Sequence, residues 1–429
     1  MVKEIPIKEI ISYSCLAIPL SFAGIAIYIN APDYYATQYG ISLGTLGFIL
    51  LLLRFIDAIQ DPLIGYFSDK YLQYRKQIII ASLILLPVSF LFLFNPLGEN
   101  HLFWFITMVF ISTSAFSVAT INLNTIGAMW TDNKNKKTTI IGMRESFGVI
   151  GLLLALVIPT MLQNSMDKEQ SFLIMSIILI CLTILTTPFF ISVLKKIKLT
   201  VRKEVNTTLV ISTKIPKNIK LLYSTYTISM LAAAIPAVLV LFFIRDRLNL
   251  ESYTGLFLIT YFASGALGIL IWRKVSKSHS KQRAWLYSMV MALFVFIWAY
   301  FLKEGDLWQY LLICLFSGIA FGADLVLPHS ILSDYVYESN NEQHATAFYG
   351  ILAFIAKFSF AISAAIAFPL LEGSGFAPAK ENTSQALNTL SLIYGLVPCI
   401  IKLLSIFLLW RSLNEDKINN INRSYSNVN

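Results

Sequence analysis

The chain has 429 residues, 56% of them hydrophobic and only 13% charged, with a mean hydropathy of +0.68. A soluble domain carries about 25% charged residues, so this chain lacks the polar material to cover a globular surface. Its net charge of +9 resides in loops between apolar runs, which excludes a nucleic-acid-binding face as the reason for it.

Runs of about 20 mostly apolar residues are the bilayer-spanning signal. They fall at 10–37, 43–67, 78–97, 102–128, 139–163, 170–194, 218–244, 253–272, 284–302, 307–333, 345–371 and 387–410. The expected fold is an all-α membrane protein of twelve transmembrane helices. With both termini on one side, that side holds 24 of the 33 Lys and Arg residues, counting Lys220 at the same end of the span 218–244. The positive-inside rule makes that side the cytoplasm, so a multi-pass inner (plasma) membrane protein with both termini cytoplasmic is expected. Trp104, Trp130, Trp272, Trp285, Trp308 and Trp410 lie near span ends and read as an interfacial aromatic belt.

The first span follows Lys3, Glu4, Lys8 and Glu9, is too long for a signal h-region and lacks an A-x-A site, so a retained helix is expected. Cys15, Cys181, Cys314 and Cys399 all fall in spans without a CxxC spacing and read as small packing residues.

Span two carries Arg54, Asp57 and Asp61 within the bilayer, where each charge costs from about 2.5 kcal/mol upward. At 100° per residue they share one face with Gly65. Asp61 lies roughly 10 Å and Asp57 roughly 15 Å from the cytoplasmic end. Arg54 and Asp57 at i, i+3 can pair as a structural cluster, which leaves a carboxylate over. A surplus buried carboxylate takes a proton or binds a cation, and either serves ion coupling. Pro62 is expected to kink the helix beside it. At the cytoplasmic end follow Asp69 and Arg75.

Span four has a polar stripe of Thr113, Ser117, Thr120 and Asn124 at offsets 0, 4, 7 and 11, a cavity wall or interhelical glue. Span five begins Arg144-Glu145, with Arg144 on the face of Gly148, Gly151 and Ala155. An arginine there hydrogen-bonds solute hydroxyls or a carboxylate; the rival reading is that it neutralises Glu145 or snorkels to headgroups.

The longest polar connection, 195–217, divides the spans six and six. The expected domains are an N-terminal half at 1–194, the cytoplasmic loop 195–217, a C-terminal half at 218–411 and a disordered tail at 412–429. A faint repeat supports the halves: Gly65 to Lys70 with Arg75-Lys76, against Gly268 to Arg273-Lys274 with Lys281-Gln-Arg283.

Asp324 sits mid-way along span ten and is the candidate substrate or proton group of the second half. Span eleven places Lys357 on a small-residue stripe of Gly350, Ala353, Ala361 and Ala364, the pattern of close helix approach. Its available partners are Asp57, Asp61 and Asp324. Lys402 in span twelve is expected to snorkel or pair locally.

Arg54-Phe-Ile-Asp57-Ala-Ile-Gln-Asp61-Pro62-Leu-Ile-Gly65, followed by Ser68-Asp69, closely resembles the signature of the glycoside-pentoside-hexuronide:cation symporters, the melibiose permease family. Asn124-Thr-Ile-Gly127-Ala, Pro328 to Asp334 and Lys357-Phe extend the resemblance over nearly the full chain. It implies the major facilitator fold of two six-helix halves, with a substrate site near the midplane. It also implies cation-site carboxylates at Asp57 and Asp61, a substrate-contacting arginine at Arg144 and a lysine near the cation site at Lys357. Two positions depart: Ser21 and Thr120 stand where sugar-transporting members have carboxylates. Losing these weakens a sodium site, which favours proton coupling, and puts melibiose-like substrates in doubt.

The reading is a cation-coupled symporter of a small polar solute, a sugar or related metabolite, working by alternating access. Asp57, Asp61, Thr120 and Lys357 couple the cation, H⁺ or a Na⁺ held at Asp57 and Asp61; no other metal and no cofactor is expected. Ser21, Asn124, Arg144 and Asp324 contact the solute. Arg54, Gly65, Asp69, Arg75 and Arg273 are assigned to gating. The expected partners are the solute and the lipid bilayer, without nucleic acid, and the chain is expected to be a monomer. A carrier of an amphiphile or lysolipid and a drug exporter are alternatives within the fold. No HExxH or GxSxG occurs and the four histidines (His101, His279, His329, His344) are scattered, so no enzymatic activity is expected; a sensor or channel is the remaining alternative.

Overall fold

The computed structural model describes residues 5–41, 43–163, 166–197, 215–376 and 381–426. All regular structure in them is helical. In chain order the helices are α1 (Ile7–Ser14), α2 (Ala17–Ile25), α3 (Ala31–Tyr39), α4 (Leu43–Lys70), α5 (Arg75–Phe94), α6 (His101–Met129), α7 (Lys134–Gln163) and α8 (Lys168–Leu194). Then come α9 (Lys217–Phe242), α10 (Thr254–Ser278), α11 (Lys281–Phe296), α12 (Leu307–Glu338), α13 (Ala345–Gly373), α14 (Ser384–Ser391) and α15 (Val397–Ser426).

Among the described residues, ten helices are long and apolar enough to cross a membrane. The first two expected spans account for the rest. The first is built of shorter pieces, with a π-helical stretch at Ala26–Asn30 joining α2 to α3; the second is α4, whose apolar run contains Arg54, Asp57 and Asp61. Another π-helical stretch, Leu392–Leu396, joins α14 to α15. Helix α15 continues to Ser426, past Arg411 and into the segment read from sequence as a tail. Most of the central connection, 198–214, lies outside the described residues.

The chain forms two compact units. One comprises Met1–Lys214 with Val336–Lys357, the other Ile215–Tyr335 with Phe358–Asn429. Residues 336–357, read from sequence with the C-terminal half, therefore pack with the first unit. The first unit's core gathers Tyr13, Phe22, Tyr34, Tyr35, Phe90 and Phe94. The second unit's core centres on Phe243, Phe257, Tyr310 and Tyr394, where the Tyr310 and Tyr394 hydroxyls meet at 2.7 Å.

Lipid offers no hydrophobic drive for helix pairing, so contact depends on backbones approaching closely at small residues. A Cβ added at Gly151 of α7 would lie 2.1 Å from the Ile18 carbonyl oxygen of α2, and one at Gly268 of α10 would lie 2.2 Å from that of Ile319 on α12. The stripe of Gly148 and Gly151, on the face read from sequence as shared with Arg144, thus seats α2.

Candidate functional site

Helices α4 and α13 run antiparallel within the first unit, and three contacts fix their register. Asp69, near the end of α4, accepts from the backbone N–H groups of Thr346 (3.2 Å) and Ala347 (2.8 Å), capping the start of α13. At Gly65 a Cβ would sit 2.5 Å from the Thr346 carbonyl oxygen, and at Gly350 one would sit 2.5 Å from that of Asp61. Glycine is what lets the backbones meet at both points. Seven residues beyond Gly350, two helical turns, Lys357 arrives beside the carboxylates of α4.

Lys357 Nζ lies 2.8 Å from Asp57 Oδ2 and 2.9 Å from each oxygen of Asp61. It also donates to Ser117 Oγ at 2.7 Å. Ser117 in turn donates to Asp57 Oδ1 (3.0 Å), which Gln60 also reaches (2.9 Å), and Ser114 bonds Gln60 at 3.1 Å. The carboxylates are buried, with side chains 2% and 0% exposed against 25% for Lys357. One ammonium thus serves two carboxylates, leaving one unit of negative charge in the triad. Of the three partners open to Lys357 in sequence, the fold takes Asp57 and Asp61. Arg54 lies on the same helix and is half-buried.

The polar stripe of α6 links this triad to a second cluster. Ser117 belongs to the triad, and Asn124 Oδ1 accepts from the Arg144 guanidinium. Arg144, also paired with Glu145, is 4% exposed beside Tyr13, whose hydroxyl donates to the Leu123 carbonyl at 2.6 Å. Arg144 and Glu145 thus form an ion pair at the start of this cluster. Between Ser117 and Asn124, the buried Thr120 hydroxyl has no hydrogen-bond partner among the described residues. Ser21 rests against α7, 3.0 Å from where a Cβ on Gly148 would stand.

Beside Asp69, Arg75 is 4% exposed and donates to Asp69 (2.9 Å) and to Thr346 Oγ1 (2.6 Å). In the second unit the buried pair at the corresponding repeat is Lys281–Asp334 at 2.6 Å. Arg273, assigned to gating from the repeat, is half-buried at the end of α10, and Lys281 is the residue that answers Arg75.

Asp324 corrects two expectations. Its Oδ1 accepts from Trp285 Nε1 at 2.6 Å and its Oδ2 pairs with Lys402 Nζ at 3.1 Å, which also donates to Ser229 at 2.8 Å. Of the two outcomes expected for Lys402 it therefore pairs and does not snorkel, and Trp285, fully buried, is no interfacial anchor. An isolated charge in the second unit's interior needs an opposite charge, and each supplies the other's. Gln60 went unread in sequence, while Ser117 stood only on the polar stripe, Lys281 only in the faint repeat and Trp285 only in the aromatic belt.

Residues 10–415 match the family model described as MFS/sugar transport protein. An uncharacterized symporter of Bacillus subtilis (strain 168), YjmB, is 22% identical over 432 residues, covering 95% of this chain and 92% of that protein. Among solved structures, a bacterial homologue of the iron transporter ferroportin aligns with a TM-score of 0.73 at 12% identity, covering 95% of this chain and 99% of the other. The Escherichia coli fucose:proton symporter aligns with a TM-score of 0.67 at 12% identity, covering 93% and 97%. The human organic anion transporter MFSD10 gives 0.66 at 13%, covering 95% and 100%.

Proposed function

We propose that this chain, which belongs to the MFS/sugar transport protein family of the major facilitator superfamily, is a cation-coupled symporter of a small polar solute, a sugar or related metabolite. The observation that carries the coupling is the Lys357 ammonium shared between two buried carboxylates. We read the triad, two carboxylates to one lysine ammonium, as able to take one further positive charge in the low-polarity interior. A proton or Na⁺ supplies that charge. Four oxygens surround the position, three of carboxylates and Ser117 Oγ, and all lie within hydrogen-bond distance of Lys357. Sodium would have to displace the ammonium and find further ligands, whereas a proton needs one carboxylate oxygen. The reading therefore favours H⁺.

Loading a cation weakens the hold of Asp57 or Asp61 on Lys357. Helix α13 leaves the first unit directly after Lys357. A change in that hold, in this reading, acts on a helix whose residues belong to both units, and that helix is the two-state element that coupling requires. Arg144, Asn124, Thr120 and Ser21 are the proposed solute groups: the unpartnered Thr120 hydroxyl offers a donor and acceptor between the triad and the Arg144 cluster. Asp324, held by Lys402 and Trp285, is assigned to holding the second unit together instead. Asp69 with Arg75, and Lys281 with Asp334, are the proposed gating pairs.

Proteoliposomes test the reading directly. Wild-type protein should accumulate one or more members of a panel of sugars and organic acids when an inward proton gradient is imposed. Asp61→Asn should reduce gradient-driven accumulation at least about tenfold, a change of roughly 1.4 kcal/mol in coupling, while solute exchange across the membrane persists. Unchanged accumulation and pH dependence in the variant would overturn the proposal.

A further inference from the structure

We infer that the second unit carries a binding site for an anionic phospholipid headgroup, between the first turns of α9 and the part of α15 that packs against them. An open cavity of about 360 Å³ lies there, lined by Lys217, Lys220, Ser224 and Arg411 with Leu221 and Leu408 between them. The chemistry is divided as a phospholipid requires: three cations and a hydroxyl for a phosphate, and leucines for the start of the acyl chains. Basic pockets between transmembrane helices at the cytoplasmic side are suited to such headgroups.

Three further observations bear on the same place. Trp410 is 52% exposed and immediately precedes Arg411, which marks the level of the membrane interface. The 26-residue α9 begins at Lys217 after Pro216, which supplies no side-chain cap, so its N-terminal N–H groups and dipole also favour an anion. Behind the open cavity a narrow one shares Leu221 with it and is lined by Thr225. Thr225 is 1% exposed and its hydroxyl has no hydrogen-bond partner among the described residues. That space, about 10 Å³, admits about one water, a partner for the buried hydroxyl beside the proposed site. The positive-inside rule puts this end of the unit in the cytoplasmic leaflet, where anionic lipids attract basic residues.

Native mass spectrometry of the full-length, delipidated protein tests the site without any transport assay. Phosphatidylglycerol, phosphatidylcholine and inorganic phosphate are titrated separately. Phosphatidylglycerol should bind at least about tenfold more tightly than phosphatidylcholine, and millimolar phosphate should not displace it. Each neutralised cation should weaken binding about fivefold, so Lys217→Gln, Lys220→Gln and Arg411→Gln together should cost on the order of a hundredfold. Lys274→Gln with Lys277→Gln, exposed cations on α10, should leave it unchanged. Should the triple variant lose its helical circular dichroism, Lys220→Gln alone carries the test at about fivefold. The inference is overturned by equal loss in the α10 variant, by equal binding of phosphatidylcholine, or by displacement with phosphate, which would mark a site for a soluble anion.

Discussion

Two lysines, the partly exposed Lys357 and the buried Lys402, answer carboxylates in opposite ways. Lys402 meets a single carboxylate, and Trp285 and Ser229 complete the hydrogen bonding, with side-chain exposures of 9% and 11% for Lys402 and Asp324. Such a pair is neutral and has no use for a further cation. Removing one partner strands a buried charge, which costs about 3–5 kcal/mol, while replacing both by neutral groups is far milder. Lys402→Met should therefore lower thermal stability in detergent strongly, and Lys402→Met with Asp324→Asn should recover most of it. A double variant as unstable as the single one would show that the Asp324–Lys402 pair is not what stabilises this interior. At this scale the sequence was informative about Asp57, Asp61 and Lys357, because a charge in an apolar run stands out and few partners exist. It was silent on Lys402 with Asp324, because periodicity tells which face a side chain occupies and not which other helix lies opposite.

The α4–α13 contact shows how small residues and a cap convert two sequence motifs into one site. Gly65 and Gly350 remove side chains from the crossing, Asp69 fixes the axial position of α13, and Lys357 then falls level with Asp57 and Asp61. The small-residue stripe around Lys357 and the Asp57–Asp61–Gly65 face were both legible beforehand; their mutual register was not, since it depends on backbone contacts between residues almost 300 positions apart. The faint repeat set Lys281-Gln-Arg283 against Arg75-Lys76, and the fold adds that Lys281 is the buried cation of that stretch, opposite Asp334. Gly350→Val should separate α4 from α13, since its Cβ alone would come within 2.5 Å of the Asp61 carbonyl oxygen. Overpacking of this kind costs about 1–3 kcal/mol, so the protein should still assemble in the membrane. Gradient-driven uptake should nonetheless fall severalfold, because Lys357 no longer reaches both carboxylates. Gly350→Ala should show the same effect more weakly, and uptake at wild-type level in Gly350→Val would mean that the register is set elsewhere.

For the molecule as a whole, the decisive quantity is the distribution of charge among the ends of its helices. The connection between α5 and α6, residues 95–100, carries no Lys or Arg, whereas Lys134, Lys136 and Lys137 cluster where α7 begins, at the opposite end of α6. Lys and Arg near span ends are retained on the cytoplasmic side during insertion, and this bias sets the orientation of the helices between them. By that rule, counting alternating helices outward from α6, both termini are expected in the cytoplasm. Single cysteines introduced into a variant lacking Cys15, Cys181, Cys314 and Cys399 report this in intact cells. Glu99→Cys, in the connection before α6, should react with a membrane-impermeant maleimide added outside, and Asn135→Cys only after the membrane is opened. Both positions are exposed, so access and not burial decides the labelling. The reverse pattern would invert the whole molecule. It would also move the basic cavity at Lys217, Lys220 and Arg411 to the outer leaflet.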